Sequence, residues 1–594
     1  MALFKKKMKP VQVNDFGDFE PPKQQKSVKS PATRTLINSV VALVFAAVYF
    51  YVDLPPINLK AERFYSFLLM VCLIYAVSAV VTAGFKAGSL KEYFRFVKKQ
   101  CAIPFFVAAL SLAVCLVGTV ISAEFLRAGS YRDLLTVEDG DFAAEIKEIS
   151  YDQIPMLDAD SAERLGDRKL GELSDMVSQF EVAEDYTQIN YNGRPVRVTP
   201  LRYGDWIKWF NNRREGLPAY MIIDMVTQTV TVERPETGVM YSKGDHFSRN
   251  IYRHLRFHYP TFLFEEPTFE IDEAGTPYWV CARVDKTIGL FGGKDVVGAV
   301  LVNALTGECQ YLAKEEVPSW VDHLYSADLI IRQYDYHGKY VNGFINSVLG
   351  QKDVTVATEG YNYIAIGDDV YMYTGITSIG GDESNVGFIL TNQRTKETKY
   401  YPCAGAEEFS AMASAEGQVQ QMSYTATFPL LLNIADQPTY FMALKDAAGL
   451  VKMYAMVNVS QYQIVATGST VAECEKNYRT MLAGNDLIGE EDVEIDNVAR
   501  GSVSGVIAEI RSAVMSGDSW YFLRLAGSET YYRVSASECE LAVILNVGDE
   551  VTIAYNEGEG SILEAAGVER VVGMDLTVAD TTPEAEAPAE EPAA

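Results

Sequence analysis

The chain has 594 residues, a formal net charge of −28, 48 % hydrophobic residues, eight cysteines and five histidines. The charge is unevenly placed: residues 1–100 carry a net +9, so residues 101–594 carry −37. That acidic majority argues against nucleic acid as a partner, because phosphate binding needs clustered cations.

In chain order, a basic leader (1–34) comes first, with Lys5, Lys6, Lys7, Lys9, Lys23, Lys26, Lys29 and Arg34 against Asp15, Asp18 and Glu20. Three apolar runs follow within residues 35–123: Thr35–Val52, Phe64–Phe85 and Cys101–Ala123. Each matches the roughly 17–25 residues needed to cross a hydrocarbon core. None contains Asp, Glu, Lys, Arg or His, so the spans read as an anchor and not as a transport pathway, which places ionisable groups in the membrane. The loop between the second and third runs is basic (Lys86, Lys91, Arg95, Lys98, Lys99), whereas the loop Asp53–Arg63 is balanced. Lysine and arginine flanking spans stay cytoplasmic. The expected topology is therefore a multi-pass cell-membrane protein with a cytoplasmic N-terminus and everything after Ala123 extracytoplasmic. The polar leader is too long for a signal-peptide n-region, and no A-x-A-like site precedes Asp53.

The expected ectodomain, roughly 470 residues, has room for three or four domains. Its cysteines (Cys281, Cys309, Cys403, Cys474, Cys539) are odd in number, widely spaced and without a CxxC, which excludes a disulfide-stapled fold. This thrift suits a bacterial envelope. A juxtamembrane α/β segment (124–215) shows helix-start signals around Asp160-Ser161 with Glu163, strand character from Thr187, and a helical stretch at Arg202–Arg214.

Two α+β regions follow, 216–350 and 351–483, and a unit recurs in them. Ala219–Glu233, Gly298–Leu312, Val386–Tyr401 and Val451–Thr467 each read as an apolar strand, an Asp- or Asn-containing turn and a second alternating strand, which is hairpin grammar. The last three are preceded by a further strand (Pro277–Val284, Asp369–Ile376, Pro438–Leu444). Amphipathic stretches at Phe247–His258, Trp320–Leu349, Glu407–Gln420 and Thr470–Leu482 separate the units. If the hairpins are equivalent, Val300, Val302, Phe388 and Leu390 share one periodicity and face the helix of their own unit. An acidic linker (484–500) leads to a module at 501–575 whose short β-runs and Gly turns, ending on Val547–Val551, look like a small OB- or SH3-like barrel. Its aromatics (Trp520, Tyr521, Phe522, Tyr531, Tyr532) have only Arg511, Arg524 and Arg533 beside them. A structural or protein-binding barrel fits that composition better than a nucleic-acid reader. The acidic tail (576–594) lacks apolar bulk and is expected to be disordered.

Helix followed by meander, together with the Asn303–Glu308 signature NALTGE, resembles the PepSY domain and its cystatin-like relatives over about Ala219–Leu482. The resemblance implies exported α+β modules that restrain proteases or sense at the envelope. The fold class expected is thus a multi-domain membrane protein: three transmembrane helices, an α+β repeat ectodomain of helix-plus-antiparallel-meander units, and a small C-terminal β-barrel.

Chemistry is sparse. His254 and His258 stand four apart on an expected helix and are the candidate metal ligands, with His246, His323 or His337 as the third. Against them, HxxxH lacks the glutamate of HExxH, and Arg253 and Arg256 crowd the same turn. Gly289–Asp295 lacks the hydroxyl and spacing of a phosphate loop and reads as a glycine hairpin. No catalytic residue and no cofactor is assigned. Tyr361, Tyr363, Tyr371 and Tyr373, at spacing two, offer an aromatic face for a glycan or peptide, or simple sheet packing. The function expected is binding or regulation at the envelope, engaging a protein, peptide or cell-wall partner and no nucleic acid. The alternatives are a metal-dependent envelope hydrolase using His254 and His258, or a structural subunit of an envelope assembly.

Overall fold

The computed structural model describes residues 31–83, 90–148, 154–380, 384–489, 493, 501–515, 518–528, 530–536, 539–555 and 561–570. The leader before Pro31, most of the acidic linker and the acidic tail lie outside the described residues, so the readings of those segments are not addressed by it. Two compact units divide the chain, Met1–Ile488 and Gly489–Ala594.

The first unit begins with three helices long and apolar enough to cross a membrane: Ala32–Asp53, Glu62–Ala83 and Ala102–Ile121. Their small polar residues pack helix on helix, since Ser78 and Thr82 both donate to Asn38 Oδ1 at 2.9 Å. The basic loop before the third span includes a strongly amphipathic helix, Leu90–Gln100.

Four sheet units follow, each preceded by a helix. The helices are Ala159–Gly171, Ile251–His258, Ala327–Lys339 and Glu408–Gln418, and Val471–Gly484 closes the series. In every unit one long strand carries two short strands along the same edge, then a partner strand, then an outer strand; in the third unit the outer strand is long and Val137–Asp139 adds a sixth strand parallel to it. The long strands are Arg194–Tyr203, Pro277–Ile288, Asp369–Ser378 and Gln437–Lys445. The hairpins expected from sequence are present as Tyr220–Asp224/Val230–Glu233, Gly292–Asn303/Cys309–Ala313, Ser384–Asn392/Thr398–Ala406 and Val451–Asn458/Val465–Gly468. Their turns share one device. The side chains of Asp224, Asn303, Asn392 and Asn458 each accept from backbone N–H groups two or three residues on. Short acceptors of this kind close turns locally and fix hairpin register.

The packing corrects the sequence reading in four places. The first unit has a strand, Arg194–Tyr203, ahead of its hairpin, and the helix after it is only Trp206–Asn212. The helix begun near Asp160 starts one residue earlier, with Asp158 as the cap accepting from Ser161 N at 3.0 Å. The Trp320–Leu349 stretch divides: Ser326 caps Ala327–Lys339, and a second short helical segment follows at Gly343–Gly350. Val300 and Val302 do pack with Ile251 and Leu255 of their own helix. Phe388 and Leu390 instead pack with Ala411 and Ala415 of the following helix, because Ile389 takes the face toward Tyr334 of their own. The inner helices therefore sit between neighbouring sheets, and both faces of the central strands are buried.

The tip of the second unit's hairpin, Gly289–Gly293, docks on the ends of the spans. Ser122 Oγ accepts from Leu290 N and Phe291 N at 2.8 and 2.9 Å, and Phe291 meets the Tyr65 ring edge-on at 5.9 Å. The glycine-hairpin reading of this segment stands. All eight cysteines are unpaired.

Within Gly489–Ala594, five strands (Gly501–Met515, Asp518–Leu525, Tyr531–Ser535, Glu550–Tyr555, Ile562–Arg570) close into a barrel. Among the described residues of this barrel, only the Tyr531–Ser535/Ile562–Arg570 pair is parallel. Ile507, Leu523, Val534, Val551 and Ile553 fill its interior. Arg511, Arg524 and the Tyr531 hydroxyl all engage the Glu509 carboxylate, which they hold down at about 2.

Candidate metal centre

The Ile251–His258 helix opens on Asn250, whose side chain accepts from Arg253 N at 3.3 Å. A four-residue spacing puts His254 and His258 on one face, and their ring centroids lie 4.3 Å apart. The third participant arrives from the NALTGE turn of the same unit. Gly307 takes a φ of +78°, and a Cβ there would sit 2.2 Å from the Tyr241 ring, so only glycine fits. This backbone turns the Gly307 carbonyl onto His254 Nε2 at 2.8 Å and delivers Cys309 two residues later. Cys309 Sγ lies 3.3 Å from His254 Nε2 and 3.5 Å from Gly307 O. Ligand atoms of His254, His258 and Cys309 all fall within 4.8 Å of one another, and among the described residues no aspartate or glutamate joins them.

The His254 Nε2–Cys309 Sγ separation suits two ligands of a tetrahedral ion. Bonds of about 2.3 Å to sulfur and 2.0 Å to nitrogen put the two ligand atoms about 3.5 Å apart. The rings are also oriented. His258 Nδ1 contacts the His254 carbonyl at 2.8 Å, and His254 has a second backbone hydrogen bond, to Ser248. The Nδ1 contact of His258 fixes the tautomer that leaves its Nε2 free for a metal. His254 is 9 % exposed, and burial pulls its pKa down, favouring the neutral, ligating ring. Yet hydrogen-bonding backbone faces it on both sides, and a neutral ring has one N–H to give. A cation at Nε2 would resolve that conflict and engage Gly307 O and Cys309 Sγ together. Burial pushes the Cys309 thiol up to about 11, so ligation must displace its proton.

The other histidines are elsewhere. His246 packs between Trp206 and Trp209, with centroids 4.7 and 4.8 Å away. His323 sits in a buried polar junction, its Nδ1 2.9 Å from Gln393 Oε1 and its Nε2 2.5 Å from Gln188 O. His337 Nδ1 lies 3.4 Å from Arg132 O. None is the third ligand expected from sequence; a cysteine takes that place. Histidine count and helical spacing could find the pair, but Cys309 is reached only through the hairpin fold.

The four tyrosines do not form one open face. Tyr373 is fully buried and its hydroxyl donates to Pro429 O. Tyr363 packs against His323 at 5.1 Å, Tyr371 is half-buried against the core, and Tyr361 alone is exposed. The first two of these tyrosines in the chain, Tyr361 and Tyr363, meet edge-on at 5.5 Å.

No protein-family model matches the chain, and no curated protein or solved structure is significantly similar to it.

Proposed function

We propose that this is a membrane-anchored, extracytoplasmic metal-binding protein, which holds a transition metal through His254, His258 and Cys309. The observation that carries the reading is the convergence of two imidazoles and one thiol beside the Gly307 carbonyl, with ligand atoms within 4.8 Å of one another and His254 Nε2 3.3 Å from Cys309 Sγ. A cysteine with two histidines favours zinc or another borderline-to-soft ion over calcium or magnesium, which take oxygen ligands. The side of the membrane follows from the lysine and arginine distribution around the spans.

A metal-dependent hydrolase is the second reading, favoured by the count of three side-chain ligands, which leaves a coordination position for water. Binding of an envelope protein or cell-wall partner is the role that the repeated helix-plus-meander units would serve. Their element order supports the PepSY-like, cystatin-like reading, and five strands in a closed barrel support the OB-like one.

Elemental analysis of full-length protein, purified in detergent from zinc-supplemented cells, tests the proposal. About one equivalent of metal is expected in the parent and a large loss in His254→Ala/Cys309→Ser. Equal, clearly sub-stoichiometric metal in both would overturn it. If metal is present, hydrolysis of model esters that disappears with the metal would favour the hydrolase; metal without turnover would favour binding.

A further inference from the structure

The third span ends at Ile121, and within four residues the chain meets a second apolar surface. Phe125 packs edge-on against Phe344 at 6.3 Å, and the Tyr340 hydroxyl donates to the Glu124 carboxylate. Phe344 belongs to the short helical segment Gly343–Gly350. That segment has two faces. Ser347 is buried, its hydroxyl donating to Phe344 O at 2.7 Å. Ile345, Val348 and Leu349 point outward and are 74 %, 57 % and 81 % exposed. Phe125 and Leu126 extend the same apolar surface and are also exposed.

We propose that Gly343–Gly350 lies in the bilayer interface beside the third span, with Ile345, Val348 and Leu349 immersed among the acyl chains. Three observations favour lipid as the occupant. The patch is continuous with the span through Phe125. No charged residue occurs from Tyr340 to Gln351, and lysines flank the segment at both ends, Lys352 and Lys339, the latter 4.0 Å from Glu124 beside the end of the third span. Its backbone is also closed on itself, as an apolar medium requires. Gln351 N donates to Asn346 O at 2.6 Å, the Asn346 and Asn342 amides donate to Lys352 O at 2.9 and 3.1 Å, and Lys352 N returns to Asn346 Oδ1 at 3.2 Å. The body is thus held against the membrane by more than its three spans.

The test uses full-length protein in nanodiscs loaded at one copy per disc, carrying Leu349→Trp or Ile345→Trp. Both positions are open, so the larger ring needs no repacking. After subtraction of the parent's emission, the added tryptophan should lose roughly half or more of its intensity when the lipid acyl chains are brominated, as expected of a ring buried at the acyl boundary. It should also be shielded from aqueous iodide. Emission untouched by brominated lipid and quenched by iodide would overturn the proposal. Shielding from both quenchers would overturn it too, since protein and not lipid would then cover the patch.

Discussion

Arg253 Nε donates to the Tyr51 carbonyl at 3.3 Å, and its guanidinium lies 4.3 Å over the Tyr51 ring. Arg256, three residues after Arg253, donates to Leu54 O at 3.0 Å. The helix that carries His254 and His258 therefore rests its cationic side on the end of the first span. The arginines that crowd the histidines in sequence serve a different neighbour, and the candidate metal ligands stand beside the end of the first span.

The direction of that arrangement across the bilayer can be read by thiol labelling. On intact cells, an impermeant reagent should modify a cysteine introduced at exposed Lys476 and spare one at exposed Lys99, each measured against the parent. The reverse pattern would place the α+β region in the cytoplasm and contradict the loop-charge argument.

The repeat packing makes a stability prediction. Leu390 is 4 % exposed, between its sheet and the Glu408–Gln418 helix. Leu390→Asp should destabilise by about 4 kcal/mol or more through an unpaired buried carboxylate. Val386→Asp, on the exposed part of the same strand, should stay within about 0.5 kcal/mol. Thermal unfolding in detergent with equal midpoints for the two variants would contradict the assignment.

Anchor and body should also prove energetically coupled. A Cβ on Gly118 would lie 2.5 Å from Phe291 and 2.8 Å from Leu290. Gly118→Val should cost about 1–3 kcal/mol by overpacking. Adding Phe291→Ala should recover part of the loss, a non-additivity expected only between residues in contact. Additive effects would show that the hairpin tip does not dock there.

The buried junction of three units predicts a pH dependence. Asp322 accepts from Asn190 N at 2.6 Å, and its backbone N–H donates to Glu270 Oε2 at 2.8 Å. Burial, then the Glu270 charge, raises the Asp322 carboxyl to about 9. A carboxyl raised above its unfolded value near 4 binds more protons when folded. Its stabilisation is complete below pH 4 and is lost as pH climbs toward 9. Asp322→Asn, which keeps an acceptor for Asn190 N, should flatten that decline and raise stability at pH 8 by about 1–3 kcal/mol relative to the parent. Unfolding midpoints at pH 5 and pH 8 decide this, and an unchanged slope would contradict it.

Much of this fold is legible in the residues. The hairpins announce themselves because Gly298–Leu312 and Val386–Tyr401 alternate around Asn303 and Asn392, side chains that close turns without help from distant parts. The split first strands do not, since Leu263–Phe264 and Thr425–Ala426 are too short to hold a periodicity. Arg194–Tyr203 hides for another reason: it carries two prolines, and Arg197 is a buried strand residue whose guanidinium reaches Tyr186 O and Gln188 Oε1. Half of the candidate site follows from helical spacing. Cys309, 55 residues from His254, depends on strand register and on the left-handed Gly307, which local pattern cannot supply.

Cobalt(II) substitution tests the metal centre most directly. Titrated into metal-stripped full-length protein, Co(II) should give a near-ultraviolet thiolate-to-metal band and intense visible d–d absorption, saturating at about one equivalent. The apparent affinity should rise about tenfold per pH unit while the Cys309 proton is released. Cys309→Ser should abolish the thiolate band, and His258→Ala should weaken the tetrahedral spectrum. Weak octahedral absorption with no thiolate band, the same in the parent and in Cys309→Ser, would contradict a His–His–Cys metal centre.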